Sequence, residues 1–461
     1  MEIILIVLGI WILYSRTWLA KDRAYYIIDD IVPMKNYLYV VPNDSPPANF
    51  YSSHPPKWMH IELILIHSLN VVWLNVLFGW KVALLFAFNP LAVNGTAWIT
   101  GGYYAKTTFL TLTAFYFVHT FQNVFGALAG SLFYVAALNS TIVSIAFPFL
   151  FLVVSSPWGL IFFWPLLTYL FGNRFKCGFK IRNYVKKDKL HWRKPIVMVK
   201  VVAYYLGLAL WPNKLAFFRN YGSKYGRTVD SNKKEIESAN EEFYRSLLAI
   251  FCFAYIGWQL SPIGTVIFFV GIGPFSQFKV LGQFIAERYL YLPSIGICMI
   301  LASFIGDNNV LLAIVATAYA YRSHLYIPAF HDIESLYKNG IKNYPDSVSN
   351  LCNLGERWLH IGEPLKAQRI FLEALTIEPM SFLAHVNLAA YWIYVKNFQA
   401  ALHYTEEAIK YADDPKWATL ILNKQRSQLQ ETVNKMREQN ELKNVHERIH
   451  AGQEEAVAQA V

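Results

Sequence analysis

The chain has 461 residues, of which 55% are hydrophobic, 16% are aromatic and only 16% are charged. Globular proteins carry about 25% charged residues, so this composition excludes an ordinary soluble enzyme and predicts a membrane protein with a soluble part. The net charge of +10 does not indicate nucleic-acid binding, because the basic residues lie mainly in loops beside apolar runs, where they set orientation and meet lipid phosphates.

The first apolar run, Glu2–Leu19, lacks a basic n-region and a small-residue cleavage site. We therefore predict a retained first span over Ile3–Leu19 rather than a removed signal peptide. A polar, proline-rich loop follows over residues 21–57 and contains Asp29 and Asp30. Its prolines argue against one long helix.

A second helix is predicted over Trp58–Trp80, with His60 and His67 seven residues apart on one face. These histidines either hydrogen-bond inside the helix bundle or contact a substrate. The next segment, Asn89–Trp98, contains a proline, a glycine and two asparagines within an apolar run. Such a segment predicts a broken helix that lines a cavity, with Asn94 as a candidate pocket residue.

Further apolar runs bring the expected total to about ten or eleven spans. The segment Arg174–Lys194 carries nine Lys or Arg residues against one Asp, which predicts a cytoplasmic loop. The remaining predicted spans lie at residues 107–120, 127–137, 142–154, 158–171, 196–211, 246–260, 263–275, 294–305 and 310–319.

The segment Ala286–Gly296 reads AERYLYLPSIG and lies between apolar runs. An adjacent acid and base at membrane depth are expensive and are usually kept for function, facing an internal cavity. Arg288 is a candidate for binding a lipid phosphate, because a guanidinium contacts phosphate oxygens bidentately. Glu287 either holds Arg288 or binds an acceptor, and the alternative is that the two form a purely structural ion pair.

A period of 34 residues appears in the polar C-terminal part, which predicts tetratricopeptide repeats of two antiparallel helices each. Residues 329–345 read as a half repeat, and the polar segment from Lys416 is predicted to be a capping helix with a frayed end. The recurring pairs are Pro345 and Pro379, Asn353 and Asn387, Ala367 and Ala401, and Ala374 and Ala408.

Taken together, these segments resemble the transmembrane-and-tetratricopeptide-repeat O-mannosyltransferases and their bacterial relatives, within the GT-C class of glycosyltransferases that use polyprenyl-phosphate sugars. The Ala286–Gly296 segment resembles the family motif AER-x-LY-x-PS-x-G. Other similar positions follow in the family's order along the chain: Asp29-Asp30, His60, His67-Ser68-Leu69-Asn70, Tyr205-Leu206 with Pro212 and Leu215, and Ala320-Tyr321-Arg322.

The resemblance implies an all-α protein, a polytopic GT-C-like membrane bundle (residues 1–325) followed by a short tetratricopeptide solenoid (326–415) and a polar capping helix (416–461). It implies that Asp29 or Asp30 is the base that takes the proton of the acceptor hydroxyl; the alternative is that these residues only cap a loop helix. We expect Tyr289 and Tyr291 to line the substrate pocket.

A lipid-linked sugar is then the donor substrate, and an acceptor protein or a partner subunit binds the repeats. No cofactor or metal site is predicted, although the sequence does not exclude a divalent cation. The protein is expected to be a multi-pass protein of the bacterial inner membrane, or of the endoplasmic reticulum membrane in a eukaryote, surrounded by membrane lipid.

The chain departs from the family pattern at three places. Asn94 stands where the family has Glu, Gly102 stands where it has Arg, and an expected Lys-Glu pair near Asn139–Ile142 is missing. We therefore consider two hypotheses. The first is a membrane glycosyltransferase that O-glycosylates protein hydroxyls with inversion, and the second is a non-catalytic scaffold that assembles partners through its repeats. A third, an exporter of lipid-linked sugars, has less in its favour.

Overall fold

The computed structural model is entirely helical over the residues that it describes, with 18 α-helices and no strand among them. These residues are 2–18, 56–99, 101–140, 148, 160, 162–166, 194–217, 233–276, 285–411 and 418–459. The expected all-α class is therefore confirmed. Asp29, Asp30 and nearly all of the basic loop lie outside the described residues. The chain forms two compact units, which divide after Pro345.

The first unit contains thirteen of the α-helices. Their bounds are α1 Glu2–Leu13, α2 Ser15–Trp18, α3 Pro56–Phe78, α4 Trp80–Ala87, α5 Val93–Ala97, α6 Gly102–Thr120, α7 Val124–Ser140, α8 Lys194–Leu210, α9 Lys233–Leu260, α10 Pro262–Ile272, α11 Pro293–Ile305, α12 Asn309–Tyr326 and α13 Ile333–Asn343. Short 3-10 turns lie at Pro90–Ala92, Gly273–Phe275, Glu287–Leu290 and Ile327–Phe330.

Three helical stretches in the described residues are long and apolar enough to cross a membrane, namely Trp58–Phe78, Glu242–Leu260 and Asn309–Phe330. Shorter apolar helices accompany them, which fits a membrane-associated protein. The larger number of spans stays a prediction, because two of the predicted spans, at residues 142–154 and 158–171, fall largely outside the described residues.

The predicted helix break after α4 is present in the structure. Asn89 accepts a hydrogen bond from the Leu91 amide at 2.9 Å through its side chain and begins a 3-10 turn, and the single turn of α5 follows. The whole segment Asn89–Trp98 is buried. The helix therefore breaks inside the unit, where its polar groups meet other elements of the chain rather than lipid.

Helices α10 and α11 approach each other closely at Gly264 and Gly296. A Cβ added to Gly296 would overlap the backbone of Gly264, and a Cβ on Gly264 would lie 2.8 Å from the Gly296 carbonyl oxygen. Glycines at this crossing allow direct backbone contact between two apolar helices, as in membrane helix pairs. The final glycine of the AERYLYLPSIG segment therefore has a packing role.

Residues 233–245 are polar and the residues that follow them are apolar, but both belong to one helix. Helix α9 runs unbroken over Lys233–Leu260. Near its polar end Glu242 accepts a hydrogen bond at 2.9 Å from the buried ammonium of Lys200 on α8. This ion pair joins α8 to α9.

The second unit contains the five remaining helices: α14 Val348–His360, α15 Pro364–Ile377, α16 Phe382–Tyr394, α17 Phe398–Lys410 and α18 Ala418–Gln459. Helix α14 packs on α15, and α16 packs on α17. The first residues of α14 and α16 are 34 apart, and so are the first residues of α15 and α17. This is the period on which the repeat prediction rests. The small residues Ala367, Ala374, Ala401 and Ala408 are fully buried between the helices.

The long helix α18 packs along α17, and Leu422, Leu429 and Val433 are buried at its apolar positions. Gln425 also donates a hydrogen bond to the Thr405 hydroxyl at 3.3 Å. The first turns of the polar tail thus cover the last repeat helix. The half repeat expected at residues 329–345 belongs to the first unit instead, because α13 packs against the 3-10 turn at Ile327–Phe330.

Candidate functional site

The AERYLYLPSIG segment forms a 3-10 turn at Glu287–Leu290 and then starts α11 at Pro293. Proline is favoured at the first position of a helix, where its missing N–H would have no partner. The Ser294 hydroxyl donates to the Tyr291 carbonyl oxygen at 2.8 Å and steadies this junction. The turn brings the acid and the base of the segment into the interior of the first unit.

Glu287 is only 1% exposed, and its carboxylate accepts two hydrogen bonds from distant parts of the chain. The Ala216 amide donates to Oε1 at 2.6 Å, and the Asn94 side-chain amide donates to Oε2 at 3.0 Å. Since a buried carboxylate must be compensated by donors, these contacts tie the broken helix and the segment after α8 to the turn. Glu287 therefore has an anchoring role.

Arg288 is half-buried, and its guanidinium lies among aromatic rings. Its Cζ atom is 5.2 Å from the centre of the Trp98 ring, 5.4 Å from Phe217 and 5.1 Å from Tyr289. The Tyr104 hydroxyl also interacts with the Arg288 guanidinium. Rings at these distances attract a cation through their quadrupoles, so they stabilise the positive charge in a poorly hydrated place.

Tyr289 forms part of this aromatic surface. Its ring stacks on Phe275, with centroids 4.1 Å apart and an interplanar angle of 5°, and it meets Tyr104 edge-on at 6.0 Å. The expected pocket residue Tyr289 thus lies beside Arg288.

Tyr291 has different surroundings and belongs to a buried hydrogen-bond network with His67 and Asn70. The His67 Nδ1 atom is 2.7 Å from the Tyr291 hydroxyl oxygen, and the Asn70 amide donates to that oxygen at 3.2 Å. The second ring nitrogen of His67 is 3.2 Å from the Ala87 carbonyl oxygen. A carbonyl only accepts, so Nε2 carries the proton, and in the neutral ring Nδ1 accepts from Tyr291. His67 therefore hydrogen-bonds inside the bundle, as the first of our two alternatives proposes.

Gly95 allows this network to form. An added Cβ at Gly95 would lie 2.5 Å from the Tyr291 ring. The glycine in the broken helix thus provides space for the Tyr291 ring, which follows the 3-10 turn.

His60 is also buried, near the start of α3. It lies close enough to His331 to interact with it electrostatically. His331 follows the 3-10 turn at Ile327–Phe330. That turn packs against both α2 and α5, and α5 packs against the turn at Glu287–Leu290. Helix α2 therefore packs against the same 3-10 turn as α5, the short helix that contacts the Arg288 turn.

The end of α8 and the segment that follows it contact the turn through Tyr205 and Ala216. The Ala286 amide donates to the Tyr205 hydroxyl at 3.1 Å. The Leu215 carbonyl oxygen accepts hydrogen bonds at 2.9 Å from both Asn339 and Asn343 of α13. One short segment thus links the candidate site to the helix that we expected to be a half repeat.

The structure gives a physical account of two departures from the family pattern. Asn94 donates a hydrogen bond to Glu287. A glutamate at position 94 would instead place two carboxylates side by side, and their charges would repel each other. A Cβ at Gly102 would overlap the Leu63 side chain, so this packing leaves no room for a basic side chain. Lys106, on the same helix as Gly102, pairs with Glu62 at 2.7 Å. The missing Lys-Glu pair falls on residues whose side chains lie outside the described part.

Sequence reasoning did not identify four of the groups around the acid and the base: Trp98, Tyr104, Ala216 and Phe217. Trp98 and Phe217 follow Asn94 and Leu215 closely in sequence, and that proximity was an available signal. The Ala216 contribution is a backbone N–H, which no residue pattern specifies.

Within the described residues, no group of three or more His, Cys, Asp or Glu side chains is arranged to hold a metal ion. The two aspartates of the acidic loop are not among these residues.

Comparison with protein-family models, with curated proteins and with solved structures finds no match to this chain. The resemblance to the O-mannosyltransferases therefore rests on the residue patterns described above.

Proposed function

We propose that the protein is an integral-membrane glycosyltransferase that moves a sugar from a polyprenyl-phosphate donor to a hydroxyl group of a protein. The observation that carries this proposal is the half-buried Arg288 guanidinium on its surface of Trp98, Phe217 and Tyr289. A cation held in a poorly hydrated place binds a phosphate more strongly than one in water, and a guanidinium binds phosphate oxygens through two N–H groups.

In the proposed reaction the bond between the sugar C1 atom and the phosphate oxygen breaks, and the electron pair leaves with the polyprenyl phosphate. The acceptor hydroxyl oxygen forms the new bond to C1, with inversion. Its proton passes to Asp29 or Asp30 as general base. Arg288 stabilises the charge on the departing phosphate, and Glu287 positions the turn that carries it.

The acceptor side of the proposal rests on two features. Helix α2, which precedes the acidic loop in the sequence, packs against the 3-10 turn at Ile327–Phe330, as does α5, and α5 also packs against the turn that carries Arg288. The second unit repeats a helix pair with a 34-residue offset, and stacked repeats of this kind offer concave surfaces for extended peptides. We propose that the repeats bind the acceptor protein or a partner subunit.

The test is a transfer assay with purified protein in detergent, prenyl-phosphate mannose or glucose as donor, and a peptide rich in serine and threonine. We expect Arg288→Gln to lower the rate by about 100-fold or more, and Asp29→Asn with Asp30→Asn to lower it by roughly 100-fold to 10,000-fold. Lys81→Gln is the matched control, because it removes a cation of the same unit that already has a partner: Lys81, on α4, pairs with Asp307 between α11 and α12. Full activity of the Arg288 variant would show that Arg288 does not bind the donor phosphate.

A second candidate function is the non-catalytic scaffold. It is favoured by Asn94 and Gly102, which stand where the resembling family has Glu and Arg. In that case the folded protein transfers no sugar from any donor, and the wild-type protein and the Arg288 variant bind a defined partner equally through residues 346–411.

A further inference from the structure

Two buried polar atoms beside the Glu287-Arg288 pair have no hydrogen-bond partner within the described part of the chain. They are the Asn94 side-chain oxygen Oδ1, an acceptor, and the Trp98 indole Nε1–H, a donor. The residues are 2% and 3% exposed. An unpaired buried polar group is costly, so two of them on one short helix and its C-cap call for polar partners that the described chain does not supply.

The orientation of the Asn94 amide follows from its neighbour. A carboxylate oxygen accepts hydrogen bonds, and the amide presents its NH2 group to the Glu287 Oε2 atom, 3.0 Å away. The carbonyl oxygen of the amide is therefore the atom left for a ligand, and it accepts a hydrogen bond from a donor group.

The Trp98 ring is fixed by its packing. Phe217 meets it edge-on with centroids 4.8 Å apart and an interplanar angle of 87°. Gly101 lies against its six-membered ring, where an added Cβ would overlap it. The Arg288 guanidinium lies 5.2 Å from its centre. The ring thus has little freedom to turn its N–H toward another partner.

We infer that Asn94 and Trp98 bind hydroxyl groups of the sugar on the lipid-linked donor. A hydroxyl accepts from the indole N–H and donates to the amide oxygen, so a hexose supplies both partners, whereas a prenyl chain supplies neither. The two residues adjoin the Arg288 phosphate site through Glu287 and the guanidinium, which places the sugar next to its phosphate. This inference rests on the proposed function and makes Asn94 and Trp98 its specificity-determining residues.

The same contacts indicate where the sugar lies. Asn94, Trp98 and Glu287 are buried, whereas Arg288 is half-buried and is the most exposed of the four residues. In the proposed complex the sugar therefore lies on the buried side of Arg288.

The experiment compares binding of two probes to the full-length protein in detergent: a short-chain prenyl-phosphate mannose and the sugar-free prenyl phosphate. Trp98→Phe keeps an aromatic ring beside Arg288 but removes the indole N–H. We expect this variant to weaken binding of the mannose probe about tenfold more than binding of the sugar-free probe, the effect of one hydrogen bond to a buried group.

Trp392→Phe is the matched control, because the Trp392 indole nitrogen in the second unit is also buried without a hydrogen-bond partner. It should change neither affinity. Thermal unfolding is the folding control for Trp98→Phe, because the smaller ring leaves a cavity at a buried position. Asn94→Ala should reduce mannose selectivity as well.

The outcomes separate the two proposals. If the wild-type protein binds neither probe, the phosphate site and therefore the proposed function are refuted together with this inference. If it binds both probes but Trp98→Phe leaves the mannose affinity intact, or weakens both probes equally, only the sugar contact is refuted. Repeating the comparison with prenyl-phosphate glucose shows whether a negative result reflects the choice of hexose.

Discussion

The Glu287 carboxylate gives the sharpest prediction, because its removal leaves two donors without an acceptor. In Glu287→Ala the Ala216 amide and the Asn94 side-chain amide lose their hydrogen bonds of 2.6 Å and 3.0 Å. Each orphaned buried donor costs about 1–3 kcal/mol, so we expect a total loss of about 2–6 kcal/mol in unfolding free energy. Domains are typically stable by about 5–15 kcal/mol, so this change would be large.

The matched control is Glu62→Ala, which removes a carboxylate of the same unit from a partly exposed ion pair with Lys106. The two side chains are 48% and 37% exposed, and such pairs contribute less than about 1 kcal/mol. The assay is unfolding of the full-length protein in detergent, followed by circular dichroism. A loss for Glu287→Ala no larger than that for Glu62→Ala would refute the anchoring role.

A double variant tests the same reasoning from the other side. Asn94→Ala removes one of the two orphaned donors, so Glu287→Ala with Asn94→Ala should be more stable than the sum of the two single effects predicts. The expected coupling free energy is about 1–3 kcal/mol. Additive effects would show that the two side chains do not interact.

Three further predictions concern other parts of the chain. Gly95→Ala forces the Tyr291 ring to move and should lower the unfolding free energy by about 1–3 kcal/mol. Gly207→Ala is the control, because an added Cβ there has open space within a helix, and it should raise the unfolding free energy by up to about 1 kcal/mol. Equal changes in thermal unfolding for the two variants would contradict the packing argument. Burial raises the pKa of the Cys352 thiol to about 12, so this thiol should react with maleimide at pH 8 only after unfolding, and mass spectrometry detects the adduct. The Lys81 ammonium forms a salt bridge with Asp307 and lowers the pKa of that carboxyl below its ordinary value of 3.8. Because the pKa of Asp307 is lower in the folded state, the stabilisation from this pair is present above pH 3.8 and is lost as the pH falls through the folded-state pKa. The stability difference between wild type and Asp307→Asn should therefore vanish in acid, and a difference that grew on acidification would contradict this sign.

The sequence by itself determined the helical class and the membrane character, because long apolar runs without charges must satisfy their backbone hydrogen bonds locally. It also located the acid and base of the AERYLYLPSIG segment, since two charges within an apolar run are unusual wherever they lie. The 34-residue recurrence predicted where helix pairs begin in the second unit. All of these are local or periodic properties, which a residue pattern records directly.

Only the tertiary structure decided which groups surround the acid and the base. Glu287 meets a backbone amide and an asparagine far away along the chain, and Arg288 rests on Trp98, Phe217 and Tyr289. The tertiary structure also shows that Tyr289 lies beside the Arg288 guanidinium, whereas Tyr291 belongs to the hydrogen-bond network of His67 and Asn70. The physical reason is that a side chain's partners depend on how helices cross, and those crossings are set by close packing over the whole unit rather than by neighbouring residues.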